Sequence, residues 1–232
     1  MDLIDALRTT GAVREFTDEA VDDETLARVL DSARFAPSGG NAQSWHVVVV
    51  KDDRLRRSLR DLYLPGWHDY LAMSAAGLRP WAPGNDPAAE AAAVAGAGED
   101  IAAAASSGFA AELDRVPALL VVFADLTALA AVDRDFDRYG LAGGASVYPF
   151  AWNVLLAARA EGLGGVLTTM LVHREQEVRD LLGAPAHWAL AAAIALGRPV
   201  RQPRRLRRRP VSEFTTIDRV DGPALPEGFS RT

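Results

Sequence analysis

The sequence contains no cysteine among its 232 residues. This absence excludes disulfide bonds, thiolate catalysis, cysteine-ligated zinc and iron–sulfur clusters held by the chain itself. A cysteine-free chain also fits a reducing compartment, and we expect a cytoplasmic protein. No metal site is predicted, because the four histidines are far apart and lack the spacing of metal ligands. They are His46, His68, His173 and His187.

Long hydrophobic runs and an excess of positive charge are missing as well. No uninterrupted apolar run approaches the roughly 20 residues of a membrane-spanning helix. The N-terminus "MDLIDALRTT" is acidic and amphipathic, so we expect no signal peptide. The formal net charge is -6, which argues against binding to nucleic acid or to an anionic membrane.

Several catalytic signatures are absent. The segment "EGLGG" lacks the third glycine of a dinucleotide fingerprint and precedes a strand instead of following one. Ser146 in "GGASVYP" lacks the G-x-S-x-G frame of a hydrolase nucleophile. No acid–base pair is recognisable, which is compatible with chemistry carried by a bound organic cofactor.

The patterns that are present alternate between helix and strand. "DDETLARVLDSARFA" has acids at its start and apolar residues at helical spacing. The class is therefore α/β or α+β, with a sheet of about four or five strands. Strands are predicted at residues 45–50 and 117–125, at "LGGVLTTML" and, by context, at "HWALAAAIALG"; further helices are predicted at residues 2–8, "DDRLRRSLRDLY", "GGASVYPFAWNVLLAARAEG" and "REQEVRDLLGAP".

One stretch departs from this alternation. Residues 64–116 are rich first in proline, glycine and aromatic residues and then in alanine. We interpret them as an insertion, a mobile flap followed by one or two alanine-rich helices, within a single domain spanning residues 1–232. A tail at about 200–232 begins with the basic run "RRLRRR" and continues as the strand-like "SEFTTIDRV".

The loop "FAPSGGNAQSW" between the second helix and the first strand carries almost no charge. Its two glycines permit close approach of the backbone, and its serine, asparagine and glutamine offer donors and acceptors to a planar polar ligand. On composition alone, a capped helix end turning into a strand is the favoured interpretation.

The segment "APSGGNAQSWHVVVV" after an amphipathic helix resembles the nitroreductase family of FMN-binding flavoenzymes. Three further segments follow in the order of that family: "TTGAVREFTDEAVDD", "AARAEGLGGVLTTM" and "ALGRPVRQPRRLRRRPVSEF". The resemblance covers residues 1–63 and 117–220 and omits the alanine-rich insertion. It implies an α+β fold with a central mixed, mostly antiparallel sheet flanked by helices, in a domain-entwined homodimer.

The resemblance also implies an FMN site. Arg14 matches a basic residue near N1 and O2 of the flavin, where a guanidinium favours the negatively charged reduced ring. Ala12 stands where many relatives have serine, and Gly11 where relatives often have a phosphate-binding arginine, so FMN affinity is expected to be reduced. Thr168 and Thr169 match strand positions whose backbone faces the N5 and O4 edge.

A second group of residues is implied to complete each site at the dimer interface. Pro37, Ser38, Gly39 and Asn41 match loop positions that contact a flavin bound mainly to the other subunit. Arg208, or a neighbouring arginine of the tail, is implied to hold the FMN phosphate through its forked donors.

The substrate contacts lie outside the resemblance. The aromatic-rich insertion is expected to form part of the pocket wall, with a packed or flexible excursion as the simpler alternative. Its candidate substrate contacts are Trp67, His68, Tyr70 and Trp81.

The function implied is an FMN-dependent oxidoreductase that passes hydride from NAD(P)H through FMN to a small organic acceptor, such as a nitroaromatic or a quinone. One alternative is a flavin-binding or flavin-sequestering protein without turnover, which the departures at Gly11 and Ala12 favour. Others are a different redox reaction, such as dehydrogenation or dehalogenation, and a dimeric scaffold that binds no flavin.

Overall fold

The computed structural model describes residues 2–226. Its α-helices are α1 (Leu3–Thr9), α2 (Asp23–Ala33), α3 (Asp53–Ala75), α4 (Pro87–Ala95), α5 (Glu99–Ala105), α6 (Gly108–Ala111), α7 (Tyr148–Ala160) and α8 (Glu175–Leu182). Its strands are β1 (Trp45–Val50), β2 (Ala118–Asp125), β3 (Gly164–Thr168) and β4 (Trp188–Gly197).

The four strands form one sheet in the order β1-β2-β4-β3. All three pairings are antiparallel, with Val48 opposite Val121, Val121 opposite Ala193 and Val166 opposite Ala195. The antiparallel sheet confirms the expected α+β class and decides between α/β and α+β, which the alternating pattern of helices and strands had left open. The strand predicted by context at "HWALAAAIALG" is β4, because its alanines lie in the sheet centre between helices on both faces.

The sheet divides the core into two halves, and the inner strand β2 contributes side chains to both. Its side chains alternate between the faces of the sheet, so that Leu120 and Val122 join the cluster packed by α2 and α7. Leu119, Val121 and Phe123 join the opposite cluster, which contains residues of α3 and α8. Both faces are covered by helices, which explains why β2 is apolar throughout instead of alternating with polar residues.

The segment after α1 covers the edge of β3. The Val13 N–H donates to Gly165 O at 2.9 Å, next to an isolated parallel bridge between Ala12 and Gly165. Further along, the Val200 N–H donates to Glu15 O at 3.0 Å. These contacts hold the N-terminal segment between β3 and the start of the tail.

Helix α3 is longer than the sequence analysis predicts. The expected flap at the start of the insertion is wrong up to Ala75, because α3 continues through Pro65 to that residue. Proline inside a helix removes one backbone hydrogen bond, but buried contacts of Gly66, Ala72 and Met73 hold the later turns in place.

The remainder of the insertion folds as three short helices, α4 to α6, where one or two were expected. The strand expected at "SEFTTIDRV" is wrong within the described residues. A 3-10 turn at Val211–Glu213 and an isolated bridge between Thr216 and Ala224 stand there instead. No helix in the described part of the chain is long and apolar enough to cross a membrane.

Candidate functional site

A cleft of about 1080 Å³ opens at the end of β3. Its floor is the last part of β3 and the residues that follow, and its walls come from α3, the N-terminal segment and residues 104–117. This volume lies at the upper end of the range that is typical of small-molecule and cofactor sites. The cleft is therefore the principal candidate site.

The floor ends in an unpaired backbone donor. Strand β3 stops at Thr168, and the chain turns into a 3-10 segment at Met170–Arg174. The Thr169 N–H has no hydrogen-bond partner within residues 2–226, and both Thr168 and Thr169 line the cleft. The two threonines expected to present their backbone to a ligand thus lie where a ligand can reach them.

Tyr63 from α3 lies against this floor. It is almost fully buried, and its hydroxyl is 3.1 Å from Thr168 Oγ1. Burial raises the pKa of the Tyr63 phenol, while the hydrogen bond with Thr168 and the nearby charge of Arg14 act in the opposite direction. Arg14, Tyr63 and Thr168 therefore form one polar cluster.

Arg14 supplies positive charge to the cleft. It is exposed and lines the cleft, and its guanidinium makes no hydrogen bond or ion pair within the described residues. Its position follows from the Val13–Gly165 and Glu15–Val200 hydrogen bonds on either side of it. An arginine held by its backbone but unpaired at its side chain is free to bind an anionic group.

Aromatic side chains form the wall of the cleft next to the end of β3. Trp67 and Tyr70 both line the cleft and stack on each other, with ring centroids 5.1 Å apart and planes inclined by 9°. Phe109 from α6 also lines the cleft and meets Tyr63 edge-on at 6.4 Å. Aromatic faces of this kind favour flat, unsaturated ligands.

Two of the four candidate substrate contacts lie outside the cleft lining. Trp81 packs behind Tyr70, with centroids 6.2 Å apart, and its other neighbour is His173 at 4.1 Å. His68 points elsewhere, with Nδ1 3.2 Å from a carboxylate oxygen of Asp69. The four aromatic positions follow one another along α3 and the next loop, but helical geometry sends His68 to a different face from Trp67 and Tyr70.

The opposite wall is fixed to α3 by two arginines. The half-buried Arg56 donates to the backbone oxygens of Asp114, Val50 and Val116. Arg60 Nη1 lies 3.0 Å from a carboxylate oxygen of Asp114, which is itself largely buried. These contacts anchor the turn that carries Arg115 into the cleft.

The loop at residues 38–43 lies outside the cleft and is tightly shaped. Gly40, Asn41 and Gln43 have positive φ angles of 60°, 55° and 49°. The Gln43 N–H donates to Ser38 Oγ at 2.9 Å, and the Gly39 N–H donates to the buried Ser146 Oγ at 3.0 Å. Such strained backbone is common at ligand-binding positions.

The structure separates the expected flavin-binding residues into distinct regions of one chain. Arg14, Thr168 and Thr169 meet in the cleft, whereas the exposed Pro37, the rest of that loop and Ala12 do not line it. Trp45, the first residue of β1, stacks on Phe150 with ring centroids 4.7 Å apart.

Arg208 is also outside the cleft, and its only hydrogen bond within residues 2–226 is to Arg207 O. A second concavity of about 720 Å³ is lined by residues 200–205, which include Arg201, Arg204 and Arg205. Gly11 has a packing role, because a Cβ atom there would be 2.7 Å from Leu206 Cδ2.

The cleft residues that sequence reasoning missed include Tyr63, Phe109 and Arg115. Tyr63 carried a usable signal, since it stands one helical turn after the buried Leu59 on the same stripe of α3. Phe109 and Arg115 lie in the insertion, where no periodic pattern indicated which side chains would face the rest of the protein.

Comparison with known proteins agrees with this architecture. A model described as the nitroreductase family matches residues 7–198. The chain is 31% identical over 196 residues to 5,6-dimethylbenzimidazole synthase of Rhodospirillum rubrum, covering 81% of this chain and 77% of that protein. It is 28% identical over 218 residues to an NADH dehydrogenase of Thermus thermophilus, covering 82% of this chain and 83% of that protein.

A solved structure shares the fold. The crystal structure of oxidized iodotyrosine deiodinase bound to FMN and 3-iodo-L-tyrosine superposes with a TM-score of 0.65 at 23% identity, covering 93% of this chain and 100% of that one. The helix-flanked antiparallel sheet of this chain is therefore a nitroreductase-like fold. The chain belongs to the nitroreductase family.

Proposed function

We propose that this protein is an FMN-dependent oxidoreductase with its active site in the cleft at the end of β3. The observation that carries the proposal is the convergence of an unpaired Arg14, the free Thr169 N–H and an aromatic wall on one cavity of about 1080 Å³. Bound FMN would supply two-electron transfer from NAD(P)H to a small organic acceptor such as a nitroaromatic or a quinone.

The chain's own groups fit that cofactor. Arg14 offers a fixed cation to the electron-rich edge of a ring, and the Thr169 N–H offers a donor that no group in residues 2–226 uses. Trp67 and Tyr70 supply flat apolar surface for a second aromatic molecule. No protein acid is required for the redox step, because the cleft is open to solvent that can supply protons.

We propose further that two copies of the chain complete each site. Pro37, Ser38, Gly39 and Asn41 lie outside the cleft of their own chain, so they would reach a ligand only in the cleft of a second copy. Phe35 beside them is 73% exposed, and Leu141 is 76% exposed, so a second copy that covered these side chains would bury apolar surface. Arg208, or another tail arginine, would bind the phosphate.

The test begins with the purified protein. We expect flavin absorbance, bleaching of the flavin by NADH or NADPH, and reoxidation by a quinone. Arg14→Gln should lower the midpoint potential of the bound flavin, whereas Arg57→Gln, on the exposed side of α3, should leave it unchanged. A protein that neither retains nor takes up FMN would overturn the proposal. Sedimentation that gives a monomer at all concentrations would overturn the shared site.

Two other activities for the same cleft are separated by the same experiments. A flavin that no nicotinamide bleaches would indicate storage; the open cleft with room beside a flavin favours turnover. Relatives that include a dimethylbenzimidazole synthase and a deiodinase favour a second candidate, a different redox reaction such as dehydrogenation or dehalogenation. Retained FMN with weak nicotinamide oxidation and fast reoxidation by a halogenated phenol would select that candidate.

A further inference from the structure

Tyr63 is a buried titratable residue of the cleft with no role in the redox step described above. It is 3% exposed, on α3, and its hydroxyl spans the gap between that helix and the end of β3. A buried phenol is expected to have a hydrogen-bond partner. The partner here is a cleft residue, Thr168, and not a backbone carbonyl of the core.

The hydroxyl pair has one donor to spare. Tyr63 and Thr168 each carry one hydroxyl hydrogen, and the bond between them uses one of the two. Neither hydroxyl has another acceptor within residues 2–226. Thr168 Oγ1 also accepts the Met170 N–H over a long distance of 3.5 Å. The second hydroxyl hydrogen therefore remains available beside the free Thr169 N–H.

We propose that Tyr63 is a positioning residue of the active site. Its hydroxyl fixes the Thr168 side chain against α3, and this orients the turn after β3 so that the Thr169 N–H faces the cleft. The inference rests on the proposed function, since the ligand that receives these donors is FMN. The edge-on contact with Phe109 restrains the Tyr63 ring, so that the removal of its hydroxyl alone tests the hydrogen bond.

The binding experiment measures three variants: Tyr63→Phe, Thr168→Val and the double variant that combines them. The control is Thr168→Ser, which keeps the hydroxyl. Titration of FMN-free protein should show FMN affinity reduced about three- to tenfold by each single change, the usual effect of one neutral hydrogen bond. The double variant should lose no more than either single variant, because both remove the same bond. Thr168→Ser should stay within twofold of the parent.

Two further readouts separate positioning from general destabilisation. The midpoint potential of bound FMN should shift in Tyr63→Phe, a tenfold change in relative affinity for the two redox states corresponding to about 30 mV. The matched control is Tyr148→Phe, which removes a hydroxyl bond to Ala191 O; neither of these residues lines the cleft. It should change neither FMN affinity nor potential.

Hydrogen exchange in the FMN-free protein makes the inference testable apart from the cofactor. The amide of Met170, which donates to Thr168 Oγ1, should exchange faster in Tyr63→Phe and Thr168→Val than in the parent and in Tyr148→Phe. Unchanged exchange there, or FMN affinity and potential equal to the parent's, would overturn the role of Tyr63. If the parent binds no FMN while exchange responds as expected, the proposed function fails and the positioning of the turn by Tyr63 stands.

Discussion

Replacing Arg56 with methionine is the sharpest test of how the wall of the cleft is held. The side chain donates to three backbone oxygens, at Asp114, Val50 and Val116, which join the end of the insertion to β1 and α3. Methionine keeps most of the apolar stem but leaves these oxygens without their donor. Arg57→Met on the same helix is the matched control, since Arg57 is exposed and makes no hydrogen bond or ion pair within the described residues.

The expected loss can be worked from the contacts. Each hydrogen bond contributes about 1 kcal/mol net, which gives about 3 kcal/mol for the three. Part of this is offset because the guanidinium no longer has to be desolvated, a cost that lowers the pKa of Arg56. We therefore expect about 2–3 kcal/mol, and a fall in Tm of about 5–10 °C for a domain of this size.

Thermal and urea unfolding, followed by far-ultraviolet circular dichroism, measure the change. Arg57→Met should lie within about 0.5 kcal/mol of the parent. Equal stability of the Arg56 and Arg57 variants would refute the reasoning that these carbonyls depend on the arginine. A loss in Arg56→Met with unchanged urea m-value would show that the fold survives and that only its stability has changed.

Other predictions concern the loops and glycines. The N–H of Leu141 and the guanidinium of Arg138 hold the pKa of Asp133 at about 2, so it contributes stability above its unfolded pKa of about 3.9. That contribution is lost as the pH falls to about 2, and Asp133→Asn should flatten this part of a pH–stability curve. In urea unfolding, Gly165→Ala should lower the free energy of unfolding by more than about 3 kcal/mol, because its Cβ would be 2.7 Å from a backbone oxygen. Gly40→Ala should lower it by only about 1 kcal/mol, because this position lies in open space and only its φ of 60° is unfavourable. Trp81→Ala should raise KM for aromatic acceptors severalfold with kcat retained, since it supports Tyr70 from behind; an unchanged KM would contradict that role.

The sequence was most informative where local pattern and tertiary environment agree. α2 begins at Asp23 after the Asp22 cap, because carboxylates there bind free N–H groups and the apolar stripe Leu26–Val29–Ala33 faces the sheet. β1 and β2 were predictable from branched residues in short apolar runs. The shaped loop after α2 was recognisable from its glycines and amides, and Gly40 has the left-handed backbone for which glycine is suited.

The predictions failed where long-range contacts decide the structure. Pro65 signals a helix end locally, yet burial of Gly66 and Met73 carries α3 onward. In the insertion, the alanines predict helices but do not show which side of each helix faces the protein. The sequence therefore could not show that Phe109 faces the cleft and that Trp81 does not. The buried stripe of α3 could have indicated that Tyr63 is buried, but not that it reaches the cleft, because its hydroxyl partner, Thr168, is 105 residues away in the chain.

The outer edge of β1 has a consequence for handling the protein. β1 is the terminal strand of the sheet, and no strand in residues 2–226 pairs with its outer side. Its sequence "WHVVVV" combines high β-propensity with no lysine, proline or acid to discourage a foreign strand. The outer edge of β1 is therefore open to the addition of a foreign strand, and concentrated preparations are expected to become turbid by this route.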